Sequence, residues 1–194
     1  MTRKLISRCD WCEGNELYER YHDEEWGVPL YDDQRLFEFL ILEGAQAGLS
    51  WITVLKKRES YREAFDGFDP VKISKYNKRK TKALMNNEGI IRNHLKIKSA
   101  INNAQRCLEI TSTGLSFSDY LWQFVEGKPV QNQFTARAEV PATTPISDQM
   151  ASKLKKAGFN FVGSTICYAF MQATGMVNDH VIGCHRHKEC AKYH

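Results

Sequence analysis

The sequence lacks any apolar run long enough for a membrane-spanning helix, which needs roughly 18 consecutive apolar residues. Its first residues, MTRKLISRCDWC, contain no apolar core of signal-peptide length. Low-complexity tracts and internal repeats are absent too, and the composition is that of an ordinary soluble protein. From these absences we expect a cytoplasmic protein, or a nuclear one if the cell has a nucleus, without a membrane partner.

Strand patterns are also scarce, whereas apolar residues recur at helical spacing along most of the chain. The glycines of GAQAG, residues 44–48, indicate a turn, and Asp69-Pro70 and Ser116 indicate helix starts. Residues 128–145 contain three of the five prolines and are predicted to form a loop. We predict an all-α fold whose 194 residues form a single domain, 1–194, of two helical lobes. The main helices are expected at about 36–43, 51–65, 78–87, 92–109, 116–127, 148–157 and 162–174, with caps at Asp32, Asp33, Ser50 and Ser147.

Disulfide bonds are not expected, because six cysteines in a chain without a signal peptide favour free thiols or metal ligands. Cys107 and Cys167 lie in apolar helical stretches and are predicted to be core residues. The other four cysteines crowd the two chain ends together with four histidines. The pair Cys9-x-x-Cys12 by itself fits either half of a zinc site or a redox pair. The clustered residues are Cys9, Cys12, Cys184, Cys190, His22, His180, His185 and His187.

Acidic side chains are nearly absent between Val71 and Arg106, where ten Lys or Arg face one acid, Glu88. Residues 1–55 have the opposite balance, with five basic and eleven acidic side chains, although the net charge of the whole chain is only +4. Such a basic segment on a nearly neutral protein indicates that a polyanion binds one face. A solvated helical face is the alternative that charge alone leaves open.

Within a basic hairpin region of about 70–106, the sequence NNEGIIRNHLKIKSAINNA has the form of a helix-hairpin-helix element. Gly89 would relieve the tight backbone, and the turn would present N–H groups and a helix N-terminus to a phosphate. Arg92 and Lys96 are then expected to hold a phosphate backbone. An ordinary helix–helix corner is the alternative.

One carboxylate, Glu43, lies in the otherwise apolar stretch FLILEGAQAGLSWITVL, residues 39–55. An ionised carboxylate removed from water is costly unless a cation or a hydrogen-bond donor meets it. The chain therefore either turns Glu43 out to solvent after Leu42, or places a negative charge in an apolar pocket.

Four segments resemble the 3-methyladenine-DNA glycosylase I family, whose members excise 3-methyladenine from alkylated DNA. The resemblance extends over about residues 8–184, in order and without large gaps, and it implies an all-α helix-hairpin-helix glycosylase fold. The segments are CDW at 9–11, YHDEEWGVP at 21–29, LEGAQAGLSWITVLKKRESYREAF at 42–65 and FVGSTICYAFMQATGMVNDHVIGC at 161–184.

This resemblance implies that Glu43 is the catalytic and base-binding carboxylate, with Tyr21 and Trp51 stacking on the flipped base. The base is cationic while it is attached to its sugar, so a carboxylate in an apolar pocket would favour it over neutral adenine. Gly48 and Leu49 are candidates for the wedge that fills the gap in the duplex. No lysine lies in the matched pocket segments, so a monofunctional enzyme without lyase activity is expected.

The resemblance also implies a zinc ion held by Cys9, His22, His180 and Cys184. Four protein ligands would close the site, so the metal would be structural and would join segment 9–22 to segment 180–184. The expected partner is double-stranded alkylated DNA, to which a nucleoid-associated monomer would bind. Two alternatives are a non-catalytic DNA-binding module with an unused pocket and a zinc hydrolase with its catalytic site at the chain ends.

Overall fold

The computed structural model describes residues 6–193, and in this part of the chain it confirms the all-α class. Two strands of two residues each, β1 (Val130–Gln131) and β2 (Val177–Asn178), pair in parallel. The helices are α1 (Glu16–Glu24), α2 (Asp33–Gln46), α3 (Trp51–Leu55), α4 (Arg58–Ala64), α5 (Pro70–Ile73), α6 (Lys78–Met85), α7 (His94–Thr111), α8 (Phe117–Trp122), α9 (Pro145–Lys156), α10 (Ser164–Ala173) and α11 (His185–Cys190). Single 3-10 turns lie at Asp10–Cys12, Asp66–Phe68, Gln123–Val125 and Arg137–Glu139. No helix among the described residues is both long and apolar enough to cross a membrane.

Helix α2 lies at the centre of the fold, and its residues from Leu36 to Ala45 are all buried. It contacts α3, α7, α8 and α10, which explains why its sequence is apolar on every side. The helix begins as predicted at Asp32, whose carboxylate accepts a hydrogen bond from the Arg35 N–H at 2.8 Å. The carboxylate of Asp33 instead caps α8, by accepting from the N–H groups of Phe117 and Ser118.

The turn predicted at residues 44–48 is wrong in its first half, because α2 continues through Gly44 to Gln46. Gly44 serves packing instead of chain reversal. A Cβ at this position would lie 3.2 Å from the Cβ of Phe161, so a larger residue would push the two segments apart. The chain turns only at Gly48, which has a φ of +79°.

The single helix predicted at 51–65 is also wrong, because Lys56 and Lys57 separate α3 from α4. The break orients the Arg58 guanidinium toward Glu25, with which it makes two 2.7 Å hydrogen bonds. It also lets the Lys57 ammonium donate to the carbonyl of Glu88 at 2.7 Å, which joins α3 and α4 to the basic hairpin. These long-range partners do not leave a periodic pattern in the sequence.

The basic hairpin region contains α6 and α7, each capped by an asparagine, Asn77 and Asn93 respectively. Both helices lie within about two residues of their predicted bounds. A glycine is required at Gly89 because a Cβ there would lie 2.7 Å from the Cβ of Ser60. Ile90 is buried beneath the turn, so the hairpin has a fixed position on the core.

Segment 128–145 is irregular as predicted, apart from β1 and one 3-10 turn. The pairing of β1 with β2 and the hydrogen bond from the Ile182 N–H to the Phe134 carbonyl tie it to the C-terminal segment. The next helix begins earlier than predicted, because Thr144 is the N-cap of α9 and Ser147 is its partner in a capping box.

Candidate active site and metal centre

A cavity of about 300 Å³ opens between the N-terminal segment, α2, α3, α10 and the segment after β1. Its wall is mostly aromatic and apolar, with a few polar groups, as is usual for small-molecule sites. The lining residues are Cys9, Trp11, Tyr18, Tyr21, Trp26, Glu43, Gln46, Trp51, Arg137, Val140, Pro141, Ala169, Gln172, Asp179 and Val181.

Glu43 lies in this wall on the last turns of α2 and is only 3% exposed. The structure therefore excludes the solvent-facing alternative. Its Oε2 is buried without a hydrogen-bond partner among the described residues, and burial raises the pKa of the carboxyl group to about 8. An unsatisfied carboxylate in a cavity wall is poised to accept a donor or a cation from a ligand.

Tyr21 and Trp51, the two predicted stacking residues, lie together in the same cavity. Their ring centroids are 5.5 Å apart and the ring planes are tilted by 47°. The Nε1 of Trp51 is buried without a partner among residues 6–193, so the cavity presents an unused donor as well as an unused acceptor. The structure thus brings Glu43, Tyr21 and Trp51 together as the sequence predicts.

Further aromatic residues in the cavity wall were not assigned to the site from the sequence. Trp11 and Tyr18 pack edge to face with centroids 4.7 Å apart, and Trp26 lies 5.1 Å from Trp11. Trp11 and Trp26 belong to the segments CDW and YHDEEWGVP that resemble the family. These motifs could therefore have indicated both residues as part of the site, whereas spacing and periodicity could not.

Asp179, the residue before His180, is a buried carboxylate of the wall that the sequence did not predict. Its Oδ2 accepts from the Tyr168 hydroxyl at 2.6 Å and from the Gln172 amide at 2.8 Å, and its Oδ1 accepts from the Asn132 amide at 2.6 Å. Asp179 is therefore satisfied by three donors, whereas Glu43 Oε2 has none in the part of the chain that the structure describes.

Four of the five predicted DNA-contact residues, Gly48, Leu49, Gly89 and Arg92, lie on two loops. Leu49 follows Gly48 on the α2–α3 loop and is 43% exposed. Arg92 lies exposed after the Gly89 turn and forms an ion pair with Glu88 at 3.7 Å. The N–H of Gly89 donates to the Asn87 side chain at 2.8 Å, so it is already occupied.

Lys96, also predicted to contact DNA, turns toward the protein. Its ammonium donates to the carbonyls of Ala45 and Ala47 at 2.7 and 2.8 Å, and burial lowers its pKa. Lys96 thereby binds the C-terminal carbonyls of α2, next to Glu43, an arrangement that favourably complements the helix dipole. A phosphate contact by Lys96 stays a prediction.

Four side chains from the two chain ends form a second site next to the cavity. Cys9, His22, His180 and Cys184 are buried, and one ligand atom from each lies within 4.8 Å of all the others. The site is built by α1, which directs Tyr21 to the cavity and the next residue, His22, to this cluster. Such a cluster could hold a metal ion.

The surroundings of the cluster suit metal binding. The Nδ1 of His22 lies 2.8 Å from Asp23, whose carboxylate is held in turn by Arg8. The Nε2 of His180 lies 3.0 Å from the Trp26 carbonyl. These contacts direct His22 Nε2 and His180 Nδ1 toward the Cys184 sulfur. His22 Nε2 otherwise accepts only a long hydrogen bond, of 3.4 Å, from the Cys9 N–H. Burial lowers the pKa of His180, which favours the neutral ring that metals bind.

The competing cysteines and histidines near the chain ends lie outside this cluster. The Cys12 thiol donates to the Cys9 carbonyl at 3.1 Å. Ring nitrogens of His185 and His187 lie 3.0 and 2.9 Å from the carbonyls of Ser7 and Asn132. Cys190 is buried apart from the four clustered ligand atoms.

Comparison with known proteins gives concordant matches along nearly the whole chain. The sequence profile of a family described as methyladenine glycosylase matches residues 11–187. The DNA-3-methyladenine glycosylase 1 of Escherichia coli (strain K12) is 51% identical over 179 residues, which cover 92% of this chain and 96% of that protein. A crystal structure of 3-methyladenine DNA glycosylase I has a TM-score of 0.91 and 52% identity, and covers 92% of this chain and 98% of its own. A Staphylococcus aureus 3-methyladenine DNA glycosylase I, studied for its recognition of 3-methyladenine, has a TM-score of 0.89 and 36% identity, with 93% and 96% covered.

Proposed function

This chain belongs to the methyladenine glycosylase family, and we infer that it is a base-excision repair enzyme that hydrolyses the N-glycosidic bond of 3-methyladenine in DNA. The observation that carries this function is the unpartnered carboxylate of Glu43 in a cavity walled by aromatic rings. We propose that a monomer acts on double-stranded alkylated DNA, at the nucleoid in the cytoplasm, where that substrate occurs.

We propose that the damaged base leaves the duplex and enters the cavity between Tyr21 and Trp51. Extrusion of a base costs a few kcal/mol, and less for a weakly paired lesion. Stacking on aromatic rings returns roughly 1–3 kcal/mol per base, and the positive charge of the lesion adds a cation–π contribution. The cavity volume of about 300 Å³ suits a single purine base.

In this mechanism, Glu43 discriminates by charge and supports bond cleavage. A cationic base lowers the pKa of the buried carboxyl group and is stabilised by the ionised form, whereas neutral adenine gains no ionic attraction from it. Water adds to C1′ of the sugar and loses a proton to solvent, while the bond to the base breaks and its electron pair neutralises the departing base. The carboxylate also stabilises the oxocarbenium-like sugar that develops at this step.

An excision assay over a panel of methylated bases tests this function. The wild type should release 3-methyladenine from alkylated duplex DNA without cutting the strand, and Glu43→Gln should release it at least about 100-fold more slowly. A DNA-binding module without catalysis would retain every base after incubation. Trapping of a covalent enzyme–DNA adduct with borohydride would contradict the monofunctional mechanism, because only a Schiff base can be reduced in this way.

For the Cys2His2 cluster we propose a structural zinc ion. Tetrahedral zinc places two nitrogen ligands about 3.3 Å apart, and a nitrogen and a sulfur ligand about 3.6 Å apart. The His22 and His180 nitrogens are 3.2 Å apart, and three nitrogen–sulfur distances to Cys9 and Cys184 are 3.4 to 3.7 Å. All four positions would be filled by the protein, which opposes a zinc hydrolase.

We propose that the α6–α7 turn is a helix-hairpin-helix element that holds the DNA backbone through Arg92. Arg92→Gln should weaken DNA binding at every sequence and reduce the slope of log affinity against log salt by about 0.9.

Lys96→Gln should weaken DNA binding too if Lys96 contacts a phosphate. It should in addition lower the thermal stability of the protein, because the Lys96 ammonium binds the Ala45 and Ala47 carbonyls. A wild-type salt slope in the Lys96 variant would show that this side chain does not reach a phosphate.

We propose that Leu49, presented by the loop after Gly48, fills the gap that the flipped nucleotide leaves. Leu49→Ala should slow excision from duplex DNA several-fold more than excision from single-stranded DNA, because only the duplex has a gap to fill. The comparison needs single-turnover rates on both substrates. An equal loss of rate on duplex and single-stranded DNA would show that Leu49 supports the structure of its own loop and does not fill a gap in the duplex.

A further inference from the structure

Arg137 is the one cationic side chain in the cavity wall among the described residues, and no part of the sequence analysis assigned it to the site. It is exposed, so it lies at the mouth of the cavity, whereas Glu43 is buried deeper in the wall. Within residues 6–193 the Arg137 side chain has no ion pair within 4.0 Å and makes no hydrogen bond. Its charge acts on the neighbouring Tyr18, where it opposes the rise in pKa that burial causes.

The turn that presents Arg137 is held firmly by its neighbours. Glu139 accepts hydrogen bonds from the N–H and hydroxyl of Thr135 at 2.6 and 2.7 Å. The Phe134 carbonyl accepts from the Ile182 N–H at 2.9 Å, which ties the turn to the segment between His180 and Cys184. The guanidinium is therefore presented from a fixed backbone, although its own side chain is unengaged.

The position of the Arg137 guanidinium is electrostatically unfavourable for binding the cationic base by itself. A guanidinium at the entrance repels a positively charged lesion that must reach Glu43. Neither carboxylate of the wall is paired with Arg137 among residues 6–193, because Glu43 Oε2 has no partner there and Asp179 is held by Tyr168, Gln172 and Asn132. An anion supplied by the substrate would turn the arrangement into a favourable one.

A flipped nucleotide supplies such an anion, because its sugar carries phosphates that stay outside while the base enters the cavity. Arginine binds phosphate with a planar fork of N–H donors, better than a point charge does. We propose that Arg137 binds a phosphate flanking the flipped nucleotide, so that the cavity mouth recognises the DNA backbone while Glu43 recognises the base. This inference rests on the proposed function, and it adds a residue that recognises the phosphate backbone of the DNA substrate.

The test compares Arg137→Gln with Lys128→Gln, an exposed cation of the same segment outside the cavity wall. Arg137→Gln should lower kcat/KM on alkylated duplex DNA about tenfold and reduce the salt slope of DNA binding by about 0.9. Its affinity for free 3-methyladenine, followed by tryptophan fluorescence, should stay within twofold of wild type. Arg137→Lys should keep the salt slope and recover part of kcat/KM. Lys128→Gln should match wild type in kcat/KM and in free-base affinity.

Two results would overturn the proposal. One is an Arg137→Gln variant with wild-type kcat/KM and salt slope. The other is a loss of affinity for free 3-methyladenine as large as the loss of kcat/KM, which would show that Arg137 binds the base. Failure of the proposed function is a separate outcome, because it requires that the wild type itself releases no base. Circular dichroism of the variant checks folding, which we expect to be unchanged because the side chain makes no ion pair or hydrogen bond with residues 6–193.

Discussion

Glu43→Gln should reduce excision of 3-methyladenine at least about 100-fold while making the protein more stable at neutral pH. The loss of rate follows from removal of the negative charge that faces the cationic base and the developing sugar cation. A single preorganised group of this kind contributes about 100- to 1,000-fold in other enzymes. The glutamine keeps the size of the side chain, so the cavity itself should be preserved.

The gain in stability follows from the raised pKa of Glu43. The pKa is about 8 in the folded protein and 4.5 for an ordinary glutamate, so the folded state binds more protons than the unfolded state between these pH values. Stability therefore falls as pH rises from about 4.5 to 8, and at pH 7 the penalty is roughly 3 kcal/mol. Glu43→Gln should match wild type near pH 4 and exceed its melting temperature by several degrees at pH 8.

Glu38→Gln is the matched control, because Glu38 lies on the same helix and is also buried. Its carboxylate, unlike that of Glu43, accepts from the Arg62 guanidinium at 2.9 Å. Glu38→Gln should therefore destabilise the protein by about 1–3 kcal/mol and retain excision. The prediction for Glu43 is wrong if both variants lose stability at pH 8, since that result would reveal a hidden partner of Glu43.

The activity of the wild type should depend on pH through the same group. The ionised carboxylate attracts the lesion, so kcat/KM should rise with pH and level off above about 8. The residual activity of Glu43→Gln should lack this rise. A wild-type profile that is flat from pH 6 to 9 would mean that another group controls the reaction.

The sequence posed the question of Glu43 correctly but could not answer it from local patterns. The two glycines after Glu43 favoured a turn that would expose it, but α2 continues to Gln46 and Gly44 instead accommodates the close approach of Phe161. That contact joins residues more than one hundred positions apart. Similarity to a family predicted the pocket, and physical reasoning then explained why a carboxylate belongs there.

Local signals predicted helix starts well and long-range partners poorly. Caps such as Asp69 before Pro70 and Ser116 before α8 act within a few residues, and both predictions are confirmed. The inward turn of Lys96 and the tie between segment 128–145 and the C-terminal segment depend on tertiary contacts. Arg137 escaped notice for the same reason, because nothing in its neighbourhood in sequence indicates a cavity.

Loss of the proposed zinc ion should have the largest effect on stability. Cys184→Ser removes one of four ligands, and it should abolish metal binding and lower the melting temperature by about 10–20 °C. Structural zinc contributes roughly 10–16 kcal/mol to folding in zinc-finger peptides. We expect a smaller loss here, because the larger hydrophobic core of this protein would still stabilise the fold without the metal. Metal analysis, thermal denaturation and excision by the same preparation measure the three consequences.

Excision should fail along with the metal, because the segment that carries His180 and Cys184 also builds the cavity. Asp179 and Val181 line the wall on either side of His180, and Ile182 holds the turn that presents Arg137. Cys12→Ser is the matched control, since Cys12 is a buried thiol three residues from Cys9 but outside the cluster. It should keep one zinc per chain and its activity. Zinc loss in Cys12→Ser would show that the proposed ligand set is wrong. A water ligand in the spectrum of a cobalt-substituted sample would show that the metal has an open position. The role of the metal would then be catalytic and not structural.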